Sequence, residues 1–400
     1  MHLVAAGSLL TCAALAQVPP RSAIASVIAN LAPSEGLWLV DRSGSCTAIT
    51  GLGTSGSAGY GVNAVQLDPL DDRIWLGGIN SNGNTAGQVN SVMLSGSTVT
   101  SFVQHGTTGF ASSIAALTFD DNGNPVAATG TSTSGGVVLI PRSGGVGTVL
   151  ATIGTTQTHN AICRDPAGNL YIGMFGSGEV HKMIKNPDCT YQPPVLLGVV
   201  PITSVSGIEW CPGTPDQVFV TTFGVAGNAL FKLPATGGAA VVASATVGSL
   251  NAAEYDRAVG DFWSVTAGID PDNVSTITKA GVETIVCGLQ GGSVGSPSGI
   301  DTSDCADAET NLLPQCVRPG QQITFEFGTC CQPGDAAGVF MVSPAVVPLL
   351  IGTAGANGRL SGSFPLVVPG GIAPGSFTFI SACLDQSGQL TVGRPTPWPQ

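Results

Sequence analysis

The sequence THNAICRDPAGNLYIG, at residues 158–173, decides the fold of this chain. It reads as a strand, a tight turn and a second strand. Residues 165–169 form the turn, because proline presets φ for a turn and the Gly-Asn pair tolerates positive φ. Apolar residues flank the turn on both sides. The segment therefore predicts a β-hairpin, and its recurrence along the chain predicts the architecture.

Related hairpins recur at a regular spacing. Their first strands begin at residues 63, 115, 160, 207, 251 and 299, so the steps are 52, 45, 47, 44 and 48 residues. A period of about 40 to 50 residues is that of a four-stranded propeller blade. One blade cannot bury both of its faces alone, so the blades must stack into a ring.

A family resemblance follows from these hairpins. The order of a strand, Asp-x-x-Gly-Asn and Leu-Tyr-Ile resembles the blades of NHL-repeat and SMP-30-type six-bladed β-propellers, over residues 36–304. The resemblance implies the fold. It leaves the activity open, because such propellers include lactonases, lyases, ligand binders and scaffolds.

The N-terminal part of the chain is expected to close this ring. Residues 1–16 read as a signal peptide that ends in an A-x-A cleavage site, and residues 17–34 as a linker or an added outer strand. The propeller is assigned to residues 35–304. Residues 36–50 look like the outer strands of a blade without its first strand, whereas the copy at Gly299 is a first strand without outer ones. The two fragments complement each other.

A different sequence pattern begins after the propeller. Residues 305–317 read as a cysteine-containing linker, and residues 318–394 carry five or six short strands with Pro-Gly turns, typical of a small β-sandwich. Residues 395–400 are expected to be a disordered tail. The predicted fold is all-β: a six-bladed β-propeller closed by the N-terminal segment, followed by a small C-terminal β-sandwich-like domain.

Composition limits the partners and the location. Charged residues make up 10% of the chain and the net charge is −12, which argues against a nucleic-acid partner because such a partner needs basic patches. After the signal segment, no apolar run reaches the roughly 20 residues of a membrane span. We therefore expect a secreted or periplasmic (extracytoplasmic) monomer.

The cysteine count favours disulfides. The chain has 11 cysteines, and removal of the signal peptide with Cys12 leaves an even number in an exported protein. Cys163 lies within an inner strand and is expected to stay free or to pair with a neighbouring strand. The expected pairs are Cys305–Cys316, Cys189–Cys211, Cys46–Cys287, and Cys383 with Cys330 or Cys331.

The first positions of the inner strands carry a candidate metal site. Asparagine occupies this position on alternate copies, at Asn63, Asn160 and Asn251, and Glu209 and Asp301 stand two positions on in the fourth and sixth copies. In SMP-30-type enzymes an asparagine at this place ligates a divalent metal, and oxygen ligands suit Ca²⁺; Zn²⁺ is the other candidate. Alternatively, Asn and Gly simply suit the backbone geometry at a strand entrance.

His159 is the candidate catalytic residue. It begins an inner strand, where a histidine at the mouth of the channel could act as a general base near neutral pH. The alternative is a hydrogen-bonded histidine with a structural role. The phosphate-binding G-x-x-x-x-G-K-[ST] loop and the H-E-x-x-H and C-x-x-C motifs are absent from the sequence.

Two classes of function therefore remain, and the sequence leaves open whether the protein is an enzyme. The first is an exported, non-catalytic propeller that binds a glycan, peptide or envelope partner. The second is a metal-dependent, lactonase-like hydrolase or a lyase that acts on a small molecule at the channel mouth. Bound metal among the named residues would distinguish them.

Overall fold

The protein is all-β in the part that its computed structural model describes. That part comprises residues 22–29, 36–52, 60–71, 73–80, 87–110, 113–130, 135–154, 158–223, 229–245, 249–257, 259–267, 273–289, 295–302, 308, 310–355, 358–368, 370, 373 and 375–398. No helix within these ranges is long and apolar enough to cross a membrane. The expected signal peptide at residues 1–16 lies outside the described residues.

The first 25 strands belong to the repeat region. They are β1 (Ser22–Ala29), β2 (Leu37–Asp41), β3 (Cys46–Ala48), β4 (Tyr60–Leu67), β5 (Ile74–Asn80), β6 (Gln88–Ser95), β7 (Thr98–Thr107), β8 (Ser113–Phe119), β9 (Pro125–Gly130), β10 (Val137–Leu139), β11 (Gly145–Val146), β12 (Thr148–Ala151), β13 (Thr158–Arg164), β14 (Leu170–Phe175), β15 (Glu179–Met183), β16 (Val195–Val199), β17 (Val205–Cys211), β18 (Gln217–Thr222), β19 (Ala229–Pro234), β20 (Val241–Ala245), β21 (Ser249–Asp256), β22 (Asp261–Ala267), β23 (Asn273–Ile277), β24 (Glu283–Gly288) and β25 (Gly295–Thr302).

These strands form six sheets in the described residues, each a meander from an inner to an outer strand. The strand orders are β4-β5-β6-β7-β11, β8-β9-β10-β12, β13-β14-β15-β16, β17-β18-β19-β20, β21-β22-β23-β24 and β25-β1-β2-β3. Each innermost strand contacts the innermost strands of the two adjacent sheets, and β25 contacts β4, so the contacts close on themselves. The β-propeller architecture is confirmed.

The N-terminal segment closes the ring, as predicted, but with three strands. β1 pairs with β25 on one side and with β2 on the other, and β3 follows β2. Of the two alternatives for residues 17–34, an added strand is therefore correct for residues 22–29, although β1 lies second in its sheet and not at the outer edge. Ile24 in β1 and Leu37 in β2 are fully buried, so the segment contributes core as well as backbone pairing.

The hairpin at residues 158–173 has the predicted form, with Gly168 at φ +85° in the turn. The Asp165 carboxylate accepts hydrogen bonds from the Asn169 backbone N–H at 2.9 Å and from the Tyr171 hydroxyl at 3.0 Å. The aspartate of the motif is thus a buried turn cap, which satisfies backbone donors that the tight turn leaves unpaired. Asp68 and Asp120 cap the equivalent turns in the same way.

Every inner strand contains a β-bulge, and the bulges correct the sequence alignment. The residues left out of the pairing with the second strand are Asn63, Ala115, Asn160, Ser206, Asn251 and Ser298. The first positions of the fourth and sixth copies are therefore Ser206 and Ser298, each one residue before the predicted Gly207 and Gly299. A bulge adds one residue to one strand, so a sequence pattern aligned on the turn alone can slip there.

The C-terminal domain is a two-sheet sandwich, as predicted. Its strands are β26 (Thr310–Leu313), β27 (Gln322–Cys330), β28 (Ala336–Ser343), β29 (Val347–Thr353), β30 (Arg359–Val367), β31 (Phe377–Leu384), β32 (Leu390–Val392) and β33 (Thr396–Trp398). One sheet has the order β26-β27-β30 and the other β29-β28-β31-β32, with β33 paired to β31. Their facing residues form one core, which includes Phe325, Phe327, Val339, Phe379 and Trp398.

Two boundaries of this domain differ from the predictions. Residues 310–313 form β26, so the expected linker at 305–317 contributes a strand to the sandwich. Residues 396–398 form β33 instead of a disordered tail. Trp398 is 3% exposed, and its indole N–H donates a hydrogen bond to the Pro314 carbonyl at 2.7 Å. The tail is ordered because a large aromatic side chain is buried at its end.

Three disulfides join described cysteines. Cys46–Cys287 and Cys331–Cys383 agree with the predicted pairs. Cys316 pairs with Cys189, so both Cys305–Cys316 and Cys189–Cys211 are wrong. Cys163 and Cys211 are free and buried. The Cys189–Cys316 bond joins the propeller to the sandwich, whereas the predicted pairs included no bond between the two domains.

Candidate functional site

The inner strands and the sandwich enclose a cavity of about 410 Å³ on the ring axis. Each of the six innermost strands lines it. On β4, for example, the lining runs from the bulge residue Asn63 to Asp68 at the start of the turn. At the turn end the lining continues onto the sandwich, including Leu313, Gln315 and Arg359. Cavities of about 300 to 1,000 Å³ suit small ligands.

The sandwich is fixed to this end of the ring by polar contacts. The Arg359 guanidinium donates hydrogen bonds to the carbonyls of Asp68 at 2.7 Å and Asp71 at 3.3 Å. The Cys316 backbone N–H donates to Asn122 Oδ1 at 3.0 Å, and the Cys189–Cys316 disulfide adds a covalent link. Ring and sandwich therefore form one unit at this end of the cavity.

The predicted asparagines lie at one level, because each is a bulge residue. Asn63 is 8% exposed and lines the cavity, and its Oδ1 has no hydrogen-bond partner among the described residues. The Asn160 side-chain N–H donates across the blade interface to the Val205 carbonyl at 2.9 Å. Asn251 is half-buried at its own bulge. The structure thus supports equivalent positions for the three residues.

The two predicted carboxylates lie at a different level. Glu209 and Asp301 each stand three residues after their bulge, at Ser206 and Ser298, rather than two positions after a common first residue. Three strand residues span about 10 Å, whereas a bound Ca²⁺ keeps its oxygens within about 2.3 to 2.6 Å. The five predicted metal ligands are therefore not brought together around one ion.

The carboxylate level forms a ring of its own, which we call the girdle. Its members lie three residues after each bulge, and all six line the cavity: Gln66, Thr118, Cys163, Glu209, Glu254 and Asp301. Each is paired in its sheet with a buried apolar residue of the second strand, such as Trp75 opposite Gln66 and Trp263 opposite Glu254. Three consecutive blades thus place carboxylates around one side of the channel.

One girdle contact spans the ring closure. Asp301 is 3% exposed, and its Oδ2 accepts hydrogen bonds from Gln66 Nε2 at 3.0 Å and from the Leu67 backbone N–H. A buried carboxylate is stable when such donors replace water. The contact also fixes Asp301 and Gln66 at the same height in the channel.

His159 is enclosed rather than exposed at the channel mouth, so the structure gives no support to its predicted role as a catalytic base. The side chain is fully buried, and its Nε2 accepts a hydrogen bond from the Ile153 backbone N–H at 2.9 Å. The proton of the neutral ring is therefore on Nδ1. Burial, and secondarily the charge of His181, lowers the pKa of His159 to about 4. His159 is therefore neutral and enclosed at pH 7, which fits the alternative of a hydrogen-bonded histidine with a structural role.

The other reactive side chains near the cavity are also constrained. Burial, reinforced by Glu209 and Glu254, raises the pKa of the Cys163 thiol, so the thiolate is disfavoured. Asp121 forms ion pairs with Arg164 and Lys185. Asp121 also lies beside Cys189 and Cys316, but those sulfurs are bonded to each other and cannot act as thiolate ligands.

The sequence reasoning missed part of the site. Gln66 and Glu254 belong to the girdle together with Glu209 and Asp301. A signal in the sequence could have identified both: Gln66 lies two residues before the turn residue Asp68, and Glu254 lies two residues before Asp256. The contribution of the sandwich residue Arg359 had no local signal, because its partners lie in the first blade.

Comparisons with known proteins support the fold. No protein-family model matches the chain, and a search of curated proteins finds no match. Among solved structures, a chain of a nidogen/laminin complex matches with a TM-score of 0.53 and 12% identity, over 70% of this chain and 97% of that one. At this identity the likeness shows a β-propeller fold alone.

Two further propellers show a weaker likeness. A calcium-binding regucalcin from Agrobacterium tumefaciens matches with a TM-score of 0.44 and 16% identity, over 68% of this chain and 82% of that chain. Virginiamycin B lyase from Staphylococcus aureus matches with a TM-score of 0.43 and 12% identity, over 84% and 94% of the two chains.

Proposed function

We propose that this β-propeller protein is an exported, non-catalytic binding protein, and that its partner is a peptide or protein of the cell envelope or the surroundings. The observation that carries the proposal is an exposed apolar strip at the edge of the sandwich. Leu384 in β31 lies opposite Leu390 in β32, and Val392 follows on the same edge strand. These three side chains are 42%, 60% and 53% exposed.

The position of the strip favours a protein partner over a glycan. β32 ends its sheet in the described part of the chain, so its outer edge is available for another strand. Extended peptides add to such edges through main-chain hydrogen bonds, with apolar side chains providing selectivity. Exposed apolar patches on otherwise polar surfaces mark interaction sites. Ile351 on β29, at the opposite edge of this sheet, is 69% exposed and extends the available apolar surface.

The ring and the disulfides fit a scaffold role. The sandwich is fixed by Cys189–Cys316 and by Arg359, so the β32 edge is held on a rigid base. Disulfides are typical of oxidising, extracytoplasmic compartments, which supports export. A rigid base lowers the entropic cost of binding.

The second candidate is the metal-dependent hydrolase, and one observation favours it. The buried Asn63 Oδ1 is an acceptor without a partner among the described residues, and an amide oxygen of this kind could ligate a hard cation. Against it stand the separation of the asparagine and carboxylate levels and the enclosure of His159.

Selection of binding peptides tests the first function. A peptide library is selected on the wild-type protein and counter-selected on a Leu390→Lys, Val392→Lys variant, and hits are measured by fluorescence anisotropy. We expect micromolar binding to the wild type and a loss of at least tenfold in the variant. A Thr391→Lys variant is the matched control, because it adds a charge to the same strand without removing an apolar side chain.

A lactone-hydrolysis assay tests the alternative. The wild type and Asn160→Ala are assayed with added Ca²⁺ or Zn²⁺. Metal-dependent turnover that Asn160→Ala abolishes would overturn the non-catalytic proposal, whereas absence of turnover together with selected peptide binding supports it.

A further inference from the structure

We propose that the girdle binds an organic cation: an alkylammonium or guanidinium compound held inside the channel by Glu209, Glu254 and Asp301. This site is separate from the β32 edge, and the inference does not depend on the proposed binding of a peptide there.

The charge of the cavity supports a cationic ligand. Seven carboxylates and three arginines are among the described residues that line it. Asp68 and Asp121 are paired with Arg142 and Arg164, Arg359 is engaged by backbone carbonyls of the first blade, and Arg257 belongs to the same lining. The three girdle carboxylates lie on consecutive inner strands, β17, β21 and β25, so their negative potentials add on one side of the channel.

A second observation is independent of the carboxylates. Asn63 lines the same cavity on β4, next to β25 in the ring, and its side chain is more than nine-tenths buried. Its Oδ1 makes no hydrogen bond to any described residue. A buried carbonyl oxygen left unpaired destabilises the folded protein, and a ligand N–H would satisfy it. The cavity therefore offers acceptors at two levels about 10 Å apart.

The shape and lining favour an organic cation over a bare metal ion. Among the described residues, the girdle carboxylates form no cluster of three with ligand atoms at metal-binding separation. A volume of about 410 Å³ is far larger than one ion and fits a small organic molecule. Between the Asn63 level and the girdle, one apolar residue from each inner strand lines the channel: Val65, Leu117, Ile162, Ile208, Ala253 and Ile300.

This order of acceptor, apolar ring and carboxylates matches an elongated amine. Methylene groups would contact the apolar ring, while ammonium groups would lie near the girdle and near Asn63. Charge-assisted hydrogen bonds to carboxylates are the strong polar contacts of such a ligand. The arrangement therefore predicts a preference for amines with two or more separated charges.

Isothermal titration calorimetry with spermidine tests the site. The wild-type protein is compared with Glu254→Gln and with Glu283→Gln. The second variant is a matched control, because it removes the same charge from the outer strand β24. We expect one spermidine per chain for the wild type and the control, and at least tenfold weaker binding for Glu254→Gln. Thermal unfolding of each variant establishes that it is folded.

Three results would overturn the assignment. Spermidine could fail to bind at millimolar concentration, or it could bind equally well to Glu254→Gln, as expected for non-specific attraction to a chain of net charge −12. Tighter binding of Ca²⁺ than of spermidine, lost in Glu254→Gln, would assign the girdle to a metal ion instead. None of these outcomes depends on peptide binding at β32.

Discussion

Asp301 Oδ2 accepts a hydrogen bond from Gln66 Nε2 at 3.0 Å, although the two residues are 235 positions apart in the sequence. The bond joins the last inner strand, β25, to the first inner strand of the next blade, β4. It lies where the ring must close, at the level of the channel girdle. Closure thus includes a buried, charge-assisted contact in addition to the pairing of β1 with β25.

Replacement of Asp301 by alanine should destabilise the ring. The variant leaves Gln66 Nε2 and the buried Leu67 N–H without their acceptor, which should lower the free energy of unfolding by about 2 to 3 kcal/mol. Urea unfolding followed by tryptophan fluorescence measures the change. Glu283→Gln, on an outer strand, keeps an acceptor for the Ser275 hydroxyl and should cost under about 1 kcal/mol. An equally small effect of Asp301→Ala would contradict the closure contact.

Removal of the N-terminal strands should prevent formation of a native ring. A protein that begins at residue 51 lacks β1, β2 and β3, so β25 keeps an unpaired edge and the core loses Ile24 and Leu37. We expect insoluble or molten material without cooperative unfolding. Near-ultraviolet circular dichroism detects this, with a protein that begins at Ser22 as the control. Unchanged stability after the longer truncation would show that closure is not required.

The Cys189–Cys316 disulfide should contribute strongly to the union of ring and sandwich. The bond closes a loop with a sequence separation of 127 residues, so the chain-entropy contribution is large. A double serine variant should lose about 2 to 5 kcal/mol and should become sensitive to proteolysis near residue 316. Guanidinium unfolding and peptide mapping measure these effects. Retention of wild-type stability and protease resistance would indicate that the polar contacts suffice.

The stability of the protein should depend on His159 at acidic pH. The pKa of this histidine is about 4 in the folded protein, against an ordinary value of 6.5, so the unfolded chain binds a proton that the folded chain excludes. Stability should therefore fall as the pH drops from 6.5 to about 4, by at most about 3 kcal/mol from this residue. His159→Gln keeps an acceptor for the Ile153 N–H and should flatten that part of the curve.

Urea unfolding at pH 7, 5.5 and 4.5 checks the histidine effect. The difference in unfolding free energy between the wild type and His159→Gln should shrink or reverse as the pH falls. A constant difference over this range would mean that another group carries the pH dependence.

The sequence by itself determined the repeat, the hairpins and the two-domain all-β architecture. These features depend on local patterns, such as the Asp-x-x-Gly-Asn turn capped by Asp165 and the alternation of residues 321–327, so they can be predicted residue by residue. The ring closure by the N-terminal segment also followed from local features, because two incomplete blades complemented each other. The tail was misassigned, because the burial of Trp398 depends on a distant core.

Only the tertiary structure decided which side chains meet. Bulges at Ser206 and Ser298 shifted the register by one residue. Glu209 and Asp301 therefore lie three positions after the asparagine level, and not two, which groups them with Gln66 and Glu254. The enclosure of His159, the pairing of Cys189 with Cys316 and the placement of the sandwich on the channel likewise arise from contacts between distant segments. Such contacts depend on how blades stack and where domains dock, and the local pattern of a single hairpin carries no information about either.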